Sequence, residues 1–76
     1  MERATIERAV LREALDGATR TELWLAARTA WKFVTQEQFR LVIAELVGNG
    51  DLNEEELHWT TTASGRDRLA RLQSSV

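Results

Sequence analysis

The chain contains no cysteine and no proline, only one histidine, and only four glycines in 76 residues. Without cysteine there is no disulfide staple and no thiolate metal site. That composition fits an intracellular protein, and a cytoplasmic location is the expectation. The one histidine, His58, has no second histidine or cysteine to join it, so no metal site and no cofactor are expected. Long apolar runs are absent too. None approaches the roughly 20 residues that span a bilayer, and Met1-Glu2-Arg3 opens no apolar signal region. Neither membrane insertion nor secretion is expected. The chain also lacks a glycine-rich phosphate loop and a nucleophile placed beside a base, so catalytic residues are not expected and the chain does not read as an enzyme.

What is present is the material of one small folded domain, residues 1–76. The hydrophobic fraction is 43% and the charged fraction 29%, ordinary values for a chain that folds rather than one that stays disordered. A chain of this length buries only about 60% of its unfolded surface, so the core must be small. The net charge is −2, and its distribution says more than its total. Residues 1–34 are nearly balanced. Residues 35–62 set Arg40 alone against Glu37, Glu45, Asp51, Glu54, Glu55 and Glu56. Residues 63–76 are basic, through Arg66, Arg68 and Arg71 against Asp67. A DNA-facing surface is normally the basic part, because phosphate neutralisation supplies much of the affinity. The middle block has the opposite sign.

Periodicity predicts four helices and a hairpin. Ile6, Val10, Leu11, Ala14 and Leu15 recur at helical spacing over residues 3–15, and Asp16-Gly17 ends the run. Thr19-Arg-Thr-Glu22 is a capping box that opens a second helix reaching about Trp31. Leu23, Ala26, Ala27 and Ala30 form its narrow core face. Lys32-Phe33-Val34 is a connector with two apolar anchors. Thr35 to Gln38 repeats the capping pattern and opens a third helix, residues 35–47, with Phe39, Val42, Ile43 and Leu46 inward. Gly48-Asn49-Gly50 stops it. Residues 51–53 are expected to form a strand, Glu54-Glu55-Glu56 a hairpin tip, and residues 57–61 the return strand, with Leu57, Trp59 and Thr61 on one face. Thr62 caps a last helix with Leu69 and Leu72 inward, and the tail from Gln73 is expected to fray.

The pattern Phe39-x-x-x-Ile43-x-x-Leu46-x-x-x-Gly50-x-Leu52 resembles the recognition helix and first wing strand of winged-helix regulators. Trp59-Thr-Thr-Thr-Ala-Ser-Gly65-Arg66 is similar to the second wing strand and following turn in regulators of the MarR and PadR type. The resemblance covers residues 19–72. It implies a mainly α winged helix-turn-helix domain: a three-helix core, a two-stranded wing and a C-terminal helix. It departs from the pattern at Thr61, where leucine is usual. Leu23 and Phe39 are also farther apart than a tight helix-turn-helix allows, and the wing tip is acidic.

The resemblance implies a small DNA-binding transcriptional regulator that grips double-stranded DNA through the helix over 35–47. In that reading Gln36, Gln38 and Arg40 meet base edges, while Lys32, Arg66 and Arg68 meet phosphates. The plainer alternatives are that Gln38 closes its own capping box and that the arginines are solvated charges. A homodimer built on the first helix or on the Trp24/Trp31 face would set two recognition helices about 34 Å apart. The alternative function is a protein-interaction module with an acidic wing that binds no DNA. Leu41 and the Trp24, Arg28 and Trp31 face would be its contact residues, since exposed aromatics with an interleaved arginine are enriched at protein contacts. The competing reading of both tryptophans is that they roof a small core. Trp59 is expected beneath the hairpin.

Overall fold

The computed structural model describes residues 3–74. Glu2, and Ser75 and Val76 of the tail, lie outside them. The elements run α1 (Arg3–Glu13), a turn of 3-10 helix (Ala14–Asp16), β1 (Ala18–Thr19), α2 (Arg20–Ala30), α3 (Gln36–Gly48), β2 (Leu52–Glu55), β3 (His58–Thr61) and α4 (Ala63–Ser74). The fold is mainly helical, with a three-stranded antiparallel sheet in the order β1-β3-β2.

Local chemistry fixes the helix ends. Thr19 accepts from the Glu22 backbone N–H while the Glu22 carboxylate accepts from the Thr19 backbone N–H, at 3.3 and 2.8 Å. Thr35 and Gln38 make the same reciprocal pair at the start of α3, at 3.0 and 3.1 Å. Each pair satisfies two backbone donors that the first helical turn leaves without partners. The far end of α3 closes as a Schellman motif. Gly50 takes φ +81°, its N–H donates to the Val47 carbonyl, and the Asp51 N–H donates to the Leu46 carbonyl. Glycine carries that left-handed backbone without steric cost. Thr62 caps α4 by accepting from the Gly65 N–H at 3.0 Å.

The core forms where the apolar stripes meet. Ile6, Val10 and Leu11 of α1 are fully buried against Leu23 and Ala27 of α2, Phe39, Val42 and Leu46 of α3, and Leu69 of α4. Leu52 and Trp59 close it from the sheet. Helix α1 packs against all three other helices.

Several expectations are corrected. The first helix is α-helical only to Glu13, and its last turn tightens to 3-10. Residues 18–19 form a third strand, pairing Ala18 with Trp59 and Thr19 with His58. Two residues are too few to show any alternation in sequence. The hairpin tip is Glu56-Leu57, so Glu54 and Glu55 are strand residues paired with Trp59 and His58. Leu57 sits in that tight turn, 75% exposed, and does not share the buried face of Trp59 and Thr61. Phe33 is 68% exposed, so Val34 is the only buried anchor of the connector. Ala30, the last residue of α2, is exposed. Ile43 is half-buried at the core's edge. Gln73 and Ser74 continue α4, with the Ser74 hydroxyl donating to the Ala70 carbonyl at 2.9 Å.

Candidate interaction surface

A groove of about 650 Å³ runs between the outer face of α3 and the hairpin at its Glu54–Trp59 pair. Its walls are mostly apolar: Leu23 of α2, Phe39, Ile43, Ala44 and Val47 of α3, and Trp59 of β3. The capping box starts α3 at Gln36 and so sets the rotation of the helix. Phe39, Val42 and Leu46 turn inward, which leaves Leu41, Ala44 and Gly48 on the open side. Leu41 is 56% exposed beside the groove. The cross-strand pair Glu54–Trp59 brings the sheet to the other wall. Trp59 is buried, and its Nε1 has no hydrogen-bond partner among the described residues.

The charged rim is made by Arg20, Arg40 and Glu54. Arg20 is the first residue of α2, directly after its cap, and points into solvent. A smaller recess alongside is bounded by Arg20, Thr21, Trp24 and Gln36. Arg20, Thr21, Gln36 and Arg40 therefore form one polar edge where the N-termini of α2 and α3 approach. Arg20 and Arg40 make no ion pair among the described residues. Arg20 and Thr21 were not among the residues expected to act. Their position after a cap makes them exposed, but only the packing of α2 on α3 places them next to Gln36 and Arg40.

The expected site residues divide into free and engaged groups. Gln36, Arg40 and Lys32 are exposed, and the Lys32 ammonium lies 5.2 Å from the centre of the Phe33 ring. Arg66 is exposed on α4. Gln38 is committed to its cap through Oε1, and adenine recognition would need that same oxygen together with the amide nitrogen. Arg68 is engaged inside the fold. Its guanidinium donates to Glu7 Oε1 at 2.9 and 3.2 Å and lies 3.7 Å from Asp51 Oδ2. Glu7 and Asp51 are buried carboxylates; Arg68 bridges the two, and Arg3 also meets Glu7 at 2.8 Å. A phosphate contact by Arg68 would have to break that pairing.

Trp24 and Trp31 are half-buried, and both pack against the core. Trp24 sits edge-on to Phe39, with ring centres 5.3 Å apart, and the Arg28 guanidinium lies 5.9 Å from the Trp24 ring. Roofing the core accounts for these contacts without an interface. Leu41 and Arg28 are the exposed members of the expected contact set, and Leu41 is the apolar one. Leu57 and Phe33 are more exposed still.

Two groups are electrostatically tuned. The Thr19 backbone N–H, and then its hydroxyl, hold the Glu22 carboxyl below the ordinary carboxylate range. Hydrogen bonds to Glu45 and then Glu7 raise the Arg3 guanidinium further. Neither group borders the α3–hairpin groove. Among the described residues no three metal-ligating side chains cluster, and no helix is long and apolar enough to cross a membrane. No family model matches the chain, and no curated protein or solved structure matches it either.

Proposed function

We propose that this chain is a winged-helix module that works by protein–protein contact, with the α3–hairpin groove as its binding surface. The order helix, short strand, two helices, hairpin supports the winged-helix layout, as does the pairing of β1 with β3. The observation that carries the function is the character of the exposed α3 face. Leu41, Ala44 and Gly48, with the half-buried Ile43 and Val47, form an apolar strip facing an apolar wall. A strip of that kind recovers free energy by excluding water from a protein partner and offers a nucleic acid little beyond thymine methyl contact. The hairpin flanking it carries Glu54, Glu55 and Glu56, which repel a phosphate backbone.

Double-stranded DNA is the second reading, favoured by one specific observation. Arg20, Thr21 and Gln36 border one recess at the starts of α2 and α3, a place suited to phosphate oxygens, and Arg40 lines the adjoining groove one turn further along α3.

One pair of measurements separates the two. Filling the groove with Ala44→Trp, or charging its lip with Leu41→Asp, should abolish capture of a partner identified by mass spectrometry. The wild-type chain should show no binding to duplex DNA at low salt. Capture that survives both substitutions in folded protein overturns the interaction reading. Duplex binding that falls steeply with salt and needs Arg20 and Arg40 would establish the second reading instead.

A further inference from the structure

The hairpin turn is built in an unfavourable way. Glu56 and Leu57 both take positive φ, +49° and +65°. A two-residue hairpin turn with both central residues left-handed ordinarily uses Asn-Gly or a similar pair. A residue with a Cβ strains there, and the glycine position of the turn is occupied here by leucine. That leucine is the most exposed large apolar side chain among the described residues, at 75%. Intramolecular packing does not account for it. Strain that holds an apolar group out in water points to a contact made elsewhere.

The same molecule carries the complement. The tip is Leu57, preceded by Glu55 and Glu56 and followed by His58. The groove is apolar, and its rim carries Glu54 together with Arg20 and Arg40, which make no ion pair among the described residues. Tip and groove are neighbours, because Glu54 and Trp59, the second cross-strand pair from the turn, line the groove. A patch that holds both a feature and its complement side by side is what a two-fold interface requires, since each copy gives its tip and receives the other's.

We propose that the groove's occupant is the Leu57 hairpin tip of a second copy of this chain, in a reciprocal two-fold dimer. The proposal rests on reading the α3–hairpin groove as a protein-binding surface. Leu57 enters between Ile43, Val47 and Trp59, and Glu55 and Glu56 meet Arg20 and Arg40. The contact is small, so the dimer is weak, with a dissociation constant on the order of 100 μM. It excludes DNA from the Arg20–Arg40 edge.

Sedimentation of the full chain from about 10 μM to about 1 mM reads this range directly. The expected result is a monomer–dimer equilibrium that weakens with added salt. Arg20→Glu/Arg40→Glu and Glu55→Arg/Glu56→Arg should each weaken self-association on the order of a hundredfold, because each sets like charges against one another. Mixing the two variants should restore a heterodimer, because every reversed charge then meets its opposite. Leu57→Gly should raise the melting temperature by relieving the turn while weakening the dimer roughly tenfold. A purely structural role for Leu57 cannot produce that split. A monomer throughout the range overturns the proposal. So does a dimer indifferent to Leu57→Gly, or charge-reversed variants that fail to pair. If the chain is monomeric yet Ala44→Trp still abolishes capture of another protein, self-association falls and the interaction reading stands.

Discussion

The Thr61 hydroxyl donates a 2.7 Å hydrogen bond to the main-chain carbonyl of Leu11, fifty residues earlier and out of contact with water. Leu11 lies in the last turn of α1, where carbonyls lack helical partners. The bond therefore satisfies an acceptor that burial would otherwise leave unpaired. Thr61→Val keeps the shape and removes the donor. It should cost about 1–2 kcal/mol, lowering the melting temperature by several degrees. An unchanged melting curve would show that the Leu11 carbonyl finds another donor.

Gly65 is selected by space. A methyl group placed on it would overlap the Asp51 carbonyl oxygen and come within 2.7 Å of Thr61 Cγ2. That carbonyl also accepts from the Thr62 N–H at 3.1 Å, so it cannot retreat without loosening the start of α4. Gly65→Ala should destabilise by roughly 3 kcal/mol despite the better helix propensity of alanine. Gly48→Ala, where an added Cβ meets nothing within 4 Å, should be neutral or mildly stabilising. Urea denaturation of both variants checks the contrast, and equal midpoints would refute it.

Arg68 is the counterion of two buried carboxylates. Arg68→Ala would leave Glu7 with Arg3 as its remaining cation and Asp51 with the Ser64 hydroxyl in place of a charge, and should cost about 2–4 kcal/mol. Glu7→Gln combined with Arg68→Met should recover part of that loss, since one buried carboxylate leaves with its partner while Asp51 still loses Arg68. A double-mutant cycle with no coupling between positions 7 and 68 would contradict the assigned pairing.

The cap of α2 sets a pH dependence. The Glu22 carboxyl is held below its ordinary range in the folded state by the Thr19 N–H and hydroxyl. Its contribution is therefore fully present above the usual carboxylate range and is lost as the pH falls through the folded-state value. Glu22→Gln retains an acceptor without the charge, so it should flatten the acid limb of the stability curve near that range. Thr19→Ala should cost about 1 kcal/mol at neutral pH. An NMR titration in which the Glu22 carboxyl ionises at the same pH in Thr19→Ala would remove the cap as the cause.

The helices were legible because their signals are local. Thr19/Glu22 and Thr35/Gln38 announce two helix starts, Gly50 announces a stop, and Phe39, Val42 and Leu46 recur at the helical period. Three consecutive glutamates look like a loop, so the expected tip over 54–56 ends the first strand two residues early and starts the return strand one residue early. The true turn sits at Glu56-Leu57, a pair that turn preferences disfavour. The short first strand carries no pattern of its own and exists only because Trp59 offers Ala18 a partner. The interaction surface was the least legible part. Leu41 could be placed outside by counting along α3. Bringing Arg20 beside Arg40 needs the packing of α2 on α3, and recognising Arg68 as an internal counterion needs Glu7, sixty-one residues away.

The ties that run from α1 to the far end of the chain also govern when the molecule can form. Glu7 waits for Arg68, and Leu11 waits for Thr61, so the first helix has no proper environment while the ribosome is still adding residues 60–70. Emerging helices α1 and α2 must keep their apolar stripes apart from other nascent chains during that interval. Folding is expected as a single late event after the last helix clears the exit tunnel, rather than as stepwise growth from the N-terminus.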